Sequence, residues 1–287
     1  MQATPRGMWH AALRDPIGSR EDVRPGFGAE SKKTRGGGRT MVLDKGLGWH
    51  AFSDLLETAG PYIDFVKLGF GTAVLYPEEL VLRKIGLARS KGITIMPGGT
   101  LLETAVYQGQ EASFFDNVCR LGFDGIEVSD GTIELERERR TALIREGVKR
   151  GLTVCTEYGK KAAGSRVDPE GLERTAELDW EAGAYLVTIE ARESGTDVGL
   201  FDKDGSCNED TFEEVMERVA DTGRIMWEAP LKSQQVFLIQ ALGPGVHVGN
   251  IPPGDVMALE AMRRGLRSDT FPHAAEARKK AAVHYMI

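Results

Sequence analysis

Cysteine is scarce in this chain, and no two cysteines are close. Only Cys119, Cys155 and Cys207 occur among 287 residues, with no C-x-x-C pair. A disulfide framework and a thiolate zinc centre are thereby disfavoured, and the expected setting is a reducing cytoplasm. The five histidines form neither an HxH nor an H-E-x-x-H pair, so a histidine-held zinc is not expected. G-x-S-x-G is missing, as are the full G-x-G-x-x-G fingerprint and a P-loop, although GFGT and GGG occur. No apolar run is long enough to cross a bilayer, and the first residues have no apolar signal-peptide core. Acidic residues (43) exceed basic ones (36), which argues against a general nucleic-acid binder but not against a small anionic substrate.

What the chain does have is a recurring unit. A short apolar run ends in a charged residue beside glycine or another small residue. The runs are TMVLDKG (40–46), YIDFVKLG (62–69), ITIMPGG (93–99), DGIEVSDG (124–131), LTVCTEYGKK (152–161), AYLVTIEARESG (184–195), RIMWEAP (224–230) and GVHVGNI (245–251). Most are followed by helical patterning, clearest over 52–59, 78–91, 212–220 and 255–266, where apolar residues recur at helical spacing. Those stripes are the packing faces of outer helices and imply no cofactor box. Eight buried strands alternating with helices predict one (β/α)8 barrel over 39–271. A Gly/Arg-rich segment, 1–38, reads as a flexible leader, part of which is expected to cross the barrel bottom or a neighbouring subunit. An Ala-rich tail, 272–287, has helical composition. Both ends are compatible with contacts in a homo-oligomer, and equally with disorder.

In such a barrel the C-terminal strand ends form the active-site rim. That rim carries Asp44, Lys45, Lys67, Glu127, Asp130, Glu157, Lys160, Glu190, Arg192, Glu228, Lys232 and Asn250. Charges gathered there are hard to explain by stability, so the chain reads as an enzyme. Glu127, Glu157, Glu190 and Glu228, with Asp44, are candidate ligands for a hard cation such as Mg2+, which prefers oxygen donors. Period-two alternation puts Glu157 on the face of Cys155, and Glu190 on the face of Thr188. The plainer alternative is that some of these glutamates pair with Lys45, Lys67 or Arg192 and only organise the rim. Barrels often bind phosphate after strands seven and eight, where Lys232, Gln234, Gln235 and Asn250 supply donors. Arg192 can grip an oxyanion through two parallel hydrogen bonds, and Ser129 joins the candidate substrate-binding residues. His247, alone among the histidines in a predicted strand, is expected to be a hydrogen-bonded core residue.

TMVLDKGL, YIDFVKLGFGT, PGGTLLE, GFDGIEVSDGT, EYGKK, EARESG, GLFDKDG, WEAPLKSQQ and LEAMRRGLRSDTF appear in order from 40 to 271. Together they resemble the phosphosulfolactate synthase family, which also includes plant heat-stress relatives. The resemblance implies a (β/α)8 barrel that adds sulfite to phosphoenolpyruvate with Mg2+. The product would be (2R)-phospho-3-sulfolactate, an early step of one coenzyme M route. In the reaction so implied Lys160, in EYGKK, is the candidate that protonates C2, a role that requires burial or neighbouring cations to lower its pKa; the plainer alternative is a salt bridge to Glu157 or Glu190. Glu157 stands beside it as a catalytic residue, and Lys45, Lys67, Arg192 and Lys232 would hold the two anions. Two substitutions depart from the family pattern, His247 for asparagine and Tyr158 for a smaller apolar residue. A substrate-facing His247 would alter the accepted nucleophile; one facing the helices would change little. Two alternatives stay open: a relative using another nucleophile, and a non-catalytic stress or interaction protein on the same barrel.

Overall fold

A computed structural model describes residues 9–18 and 37–272. Eight short parallel strands run β1 Thr40–Asp44, β2 Phe65–Leu68, β3 Thr94–Pro97, β4 Gly125–Val128, β5 Thr153–Tyr158, β6 Leu186–Ile189, β7 Ile225–Glu228 and β8 His247–Ile251. Their order, β3-β2-β1-β8-β7-β6-β5-β4, places first and last strands side by side in a (β/α)8 barrel. At the β3–β4 seam no backbone ladder forms. Instead the Asp124 carboxylate accepts the Ile95 N–H at 2.8 Å, and Thr94 sits so close to Gly125 that a Cβ there would approach it to 2.8 Å. Glycine at 125 is therefore what lets the seam close.

The helices are α1 Ala11–Arg14, α2 Trp49–Thr58, α3 Glu78–Ser90, α4 Gly99–Tyr107, α5 Glu111–Leu121, α6 Arg137–Lys149, α7 Pro169–Ala182, α8 Glu209–Arg218, α9 Lys232–Leu242 and α10 Val256–Arg263. Local chemistry sets several boundaries. The Asp168 and Asn208 side chains accept N–H groups of Gly171 and Thr211, starting α7 and α8. Gly122 and Gly183, both left-handed, stop α5 and α7. The expected helices fall within a few residues of their predicted spans; fraying and capping account for differences of that size.

The outward strand faces and the helices bury one continuous apolar layer. Inside the barrel a smaller cluster of Met41, Phe65, Met96, Cys155, Leu186 and Met226 forms a plug. Flexible thioethers fill this tapering space without polar atoms. The charged groups of the rim gather above the plug, so the plug is the floor of the site.

His247 opens β8 at the opposite end. Its Nδ1 accepts the Arg39 N–H at 3.0 Å and its Nε2 lies 3.0 Å from the Gly223 carbonyl. It is thus a hydrogen-bonded structural residue away from the rim, and its departure from the family pattern leaves the rim untouched. Also at this end, the Arg264 guanidinium donates to the Arg14 carbonyl, joining the described part of the leader to the barrel. The remaining leader residues, 1–8 and 19–36, and the tail beyond 272 lie outside the described residues. Among the described residues no helix is long and apolar enough to cross a membrane.

Candidate active site

Strand parity decides which charges enter the barrel. Phe65 belongs to the plug, so Lys67, two residues on, enters above it. Cys155 and Glu157 share the inward face of β5 by the same rule. Glu127, Glu190 and Glu228 come in from β4, the end of β6 and β7, and all are nearly inaccessible to solvent. Lys67 Nζ lies 2.9 Å from Glu127 Oε1, 3.0 Å from Glu228 Oε1 and 3.6 Å from Glu157 Oε2. One ammonium therefore binds glutamates from three strands.

A second ammonium completes the cluster, and it belongs to Lys161. Its Nζ lies 2.7 Å from Glu157 Oε1, 3.2 Å from Ser129 Oγ and 3.5 Å from both Glu190 Oε2 and Glu103 Oε1. Glu103, on α4, is also buried; it accepts the Ser129 hydroxyl at 2.5 Å and the backbone N–H groups of Thr132 and Ile133. The cavity above these groups measures about 290 Å3. It is lined by Lys67, Glu127, Glu157, Lys161, Glu190, Arg192, Glu228 and Asn250, with Phe70 and the Gly98–Thr100 turn on the β3 side. Phe70, Arg192 and Asn250 all have positive φ, three of the four non-glycine residues that do among the described residues. Left-handed conformations of this kind cost energy and cluster where geometry is demanded by function. For Asn250 the cause is visible. The β1–β8 register slips between Thr40 and Val42, so β8 bulges at its rim end and turns Asn250 into the cavity, where its Oδ1 has no hydrogen-bond partner.

The electrostatics separate the carboxyl groups. Burial opposes ionisation of Glu157, but Lys161 and Lys67 outweigh it and hold the carboxyl well below its usual range. Glu190 goes the other way: burial, then Glu157 and Glu228, push it up to about 11. Burial also raises Glu127 despite Lys67. Both ammonium groups are raised, since surrounding glutamates override the burial that would lower them. Lys161 is held protonated by its neighbours, the opposite of the lowering that the sequence reading required of a lysine acid. The thiol of Cys155, beneath Glu157, is pushed up to about 12 by burial and is inert at neutral pH.

Other rim residues take different places. Lys160, expected as the proton donor, points away from the cavity: its Nζ lies 2.7 Å from the Asp130 carbonyl and 3.2 Å from Glu134 Oε1. Lys45 is exposed at the strand end. Asp44 faces outward and is fully buried against α3, with Lys84 Nζ at 2.7 Å and the N–H groups of Gly46 and Leu47 on its other oxygen. Its oxygens are consumed there, away from the glutamate cluster. Lys232 is exposed and pairs with Asp269 at 2.8 Å. Gln234 donates to the Gly195 carbonyl and Gln235 to that of Ala229, bracing the loops rather than presenting donors to the cavity. Of the expected anion-binding groups, Lys67, Arg192 and Asn250 line the cavity, and Ser129 lies just behind Lys161. Lys161, Glu103 and Lys84 are absent from the sequence reading. A signal existed for Glu103, the only charged residue in the apolar helix GTLLETAVY.

Carboxylates from Glu157, Glu190 and Glu228 each place an oxygen within 4.8 Å of the others. These are oxygen donors only, Glu190 Oε2 makes no hydrogen bond, and the cluster's carboxylates outnumber Lys67 and Lys161. Such a donor set suits a hard divalent cation.

A parallel barrel whose strand ends bury paired carboxylates and ammonium groups around a small cavity is a (β/α)8 enzyme. Residues 28–269 match the family described as (2R)-phospho-3-sulfolactate synthase (ComA), and the chain belongs to it. It is 43% identical to the phosphosulfolactate synthase of Methanothermobacter thermautotrophicus over 84% of this chain and 93% of that one. Identity to the phosphosulfolactate synthase of Methanocaldococcus jannaschii is 40%, over 82% and 94%. The Arabidopsis thaliana protein HEAT-STRESS-ASSOCIATED 32 is 24% identical over 76% and 81%.

Proposed function

We propose that this chain joins sulfite to phosphoenolpyruvate, giving (2R)-phospho-3-sulfolactate, with Mg2+ held by Glu157, Glu190 and Glu228. The carrying observation is the half-buried Lys161 ammonium at the cavity wall, with Glu157, Glu190 and Ser129 all within 3.5 Å. A cavity of about 290 Å3 suits a small substrate rather than a cofactor or polymer. Similarity to synthases of this name at about 40% identity over nearly their whole length supports the same reaction.

The sulfur lone pair of sulfite attacks C3, forming the C–S bond and opening the C2–C3 double bond. The electron pair moves onto C2 and the substrate carboxylate, and one proton at C2 completes the product. Mg2+, when bound, supplies Lewis-acid neutralisation of that carboxylate charge. Lys161 delivers the proton: it is a charged donor held at the cavity by Glu157 and Ser129, and because a carbanion-like C2 is far more basic than an amine, the transfer does not need the lowered pKa expected of Lys160. Lys67 and Arg192 bring together two anions that repel each other, and Asn250, which lines the same cavity, donates its side-chain amide N–H to a substrate oxygen. Burial makes each of these charges more effective than it would be in water.

Phosphorus NMR of protein with phosphoenolpyruvate, sulfite and Mg2+ tests this reading. A new phosphate-ester resonance that requires sulfite and disappears on chelation is expected. Retained phosphoenolpyruvate binding without turnover would point to another nucleophile. Loss of both binding and turnover would favour a non-catalytic role.

A further inference from the structure

Behind the glutamate cluster lies a buried Arg140–Asp179 ion pair whose two residues do not line the cavity, and Asp179 also meets Arg137 Nη2 at 2.7 Å. Arg140, on α6, is 3% exposed, and Asp179, on α7, is 0% exposed. The guanidinium grips Asp179 through Nε at 3.1 Å and Nη2 at 2.7 Å. Its remaining donors go elsewhere: Nη2 to the backbone carbonyl of Glu157 at 3.0 Å, and Nη1 to Asp130 Oδ1 at 3.1 Å. A buried pair of this kind adds little net stability, because desolvation of both charges offsets their attraction. Its partners suggest what else it does.

Asp130 follows Ser129 in the loop after β4, and that loop carries the loop after β5. Asp130 offers its carbonyl to Lys160 Nζ at 2.7 Å, and Gly131 offers its carbonyl to the Lys161 N–H at 3.1 Å. Lys161 then crosses Gly131 so tightly that a Cβ at 131 would stand 3.0 Å from the Lys161 Cγ. Arg140 therefore fixes both ends of the same cluster: Glu157 through its own backbone, and Lys161 through Asp130 and the loop stacked on it. Gly159, at φ 125°, frees residues 160 and 161 from strand alternation, so their facing depends on these loop contacts.

We propose that Arg140 is a positioning residue that sets the Lys161–Glu157 geometry, with Asp179 holding the guanidinium and Asp130 passing its orientation to the loop. Arginine is suited to this because its planar fork serves three acceptors at fixed angles, which a lysine does not reproduce. The kinetic part of the proposal rests on the reaction proposed above; the structural part does not.

The test compares wild type with Arg140→Lys and with the milder Asp130→Asn. Three readouts are taken: steady-state kinetics, thermal melting, and hydrogen–deuterium exchange of segments 129–136 and 159–164. In Arg140→Lys, kcat is expected to fall about 10–100-fold, the usual effect of removing a group that orients a site residue. The KM for phosphoenolpyruvate should stay within about 3-fold, since the anion-holding side chains are untouched. The two loop segments should exchange faster while the barrel strands stay protected, and Asp130→Asn should show the same pattern more weakly. Faster exchange throughout the strands, or kcat unchanged in both variants, would overturn the proposal. Should wild type itself not turn over phosphoenolpyruvate and sulfite, the reaction reading fails, while loop exchange still decides the positioning claim: local loosening supports it, and unchanged loops refute it.

Discussion

Lys161 Nζ stands 2.7 Å from Glu157 Oε1, while the adjacent Lys160 Nζ stands 2.7 Å from a backbone carbonyl outside the cavity. Consecutive residues of one type thus serve two purposes, one charged group inside the site and one clamp on the loop that presents it. Glu157 is the counterion that links both ammonium groups; they hold its carboxyl low, while burial and then Glu157 and Glu228 raise that of Glu190.

That difference predicts opposite effects of two similar substitutions in chelator-treated protein. Glu157→Gln strands Lys67 and Lys161 among fewer counter-charges and should cost about 3–5 kcal/mol, as removing one member of a buried pair does. Glu190→Gln should be tolerated and should gain relative to wild type as pH rises. The sign follows from linkage. With the folded carboxyl raised to about 11, the unfolded chain sheds its proton first, above the ordinary value of 4.5. Wild-type stability then falls with rising pH by up to about 1.4 kcal/mol per unit from this group, and glutamine removes the fall. Urea unfolding at pH 6 and pH 8 reads both variants.

Lys84 is a charge with no solvent access, held by Asp44 at 2.7 Å and lying over the Tyr76 ring at 4.2 Å. Lys84→Met should cost about 3–5 kcal/mol by leaving Asp44 buried and unpaired. The double variant with Asp44→Asn should recover part of that loss. Denaturant midpoints of the two single variants and the double variant form the cycle that measures the coupling.

His247 gives a pH dependence at the other end of the barrel. Its pKa is lowered by burial and then by the positive charge of Arg39, and protonation would also place a hydrogen on the Nδ1 that accepts the Arg39 N–H. Its contribution to stability is therefore full above the unfolded value near 6.5 and is lost as pH falls through the folded one. His247→Gln keeps a donor and an acceptor but does not titrate. Melting temperatures of the two proteins should converge, or cross, as pH falls from 7 to 5.

The fold was legible because buried parallel strands are continuous apolar runs, and eight of them punctuate this chain. Much of the site was legible for the same reason: each strand ends at the rim, so Lys67, Glu127, Glu157, Glu190 and Glu228 announce themselves. What misled was direction. Asp44 is one residue past Leu43, which lines the cavity, so alternation turns it outward to Lys84. Gln234 and Gln235 sit in the first turn of α9 and bend back onto loop carbonyls, a choice no local spacing reveals. For the lysine pair, alternation ends at Tyr158 and Gly159 takes a backbone conformation that resets the facing. Lys84 and Arg140 lie within helices, and the carboxylates they grip, Asp44 and Asp179, are more than thirty residues away.

Phosphorus NMR of wild type, Lys160→Ala and Lys161→Ala with phosphoenolpyruvate, sulfite and Mg2+ tests the central claim most directly. The cluster around Lys161 as active site predicts a sulfite-dependent phosphate ester from wild type. It also predicts a reduced but clear signal from Lys160→Ala, and a rate about 10²–10⁴-fold lower from Lys161→Ala, the range for loss of a general acid. Full turnover by Lys161→Ala with none by Lys160→Ala would contradict the account.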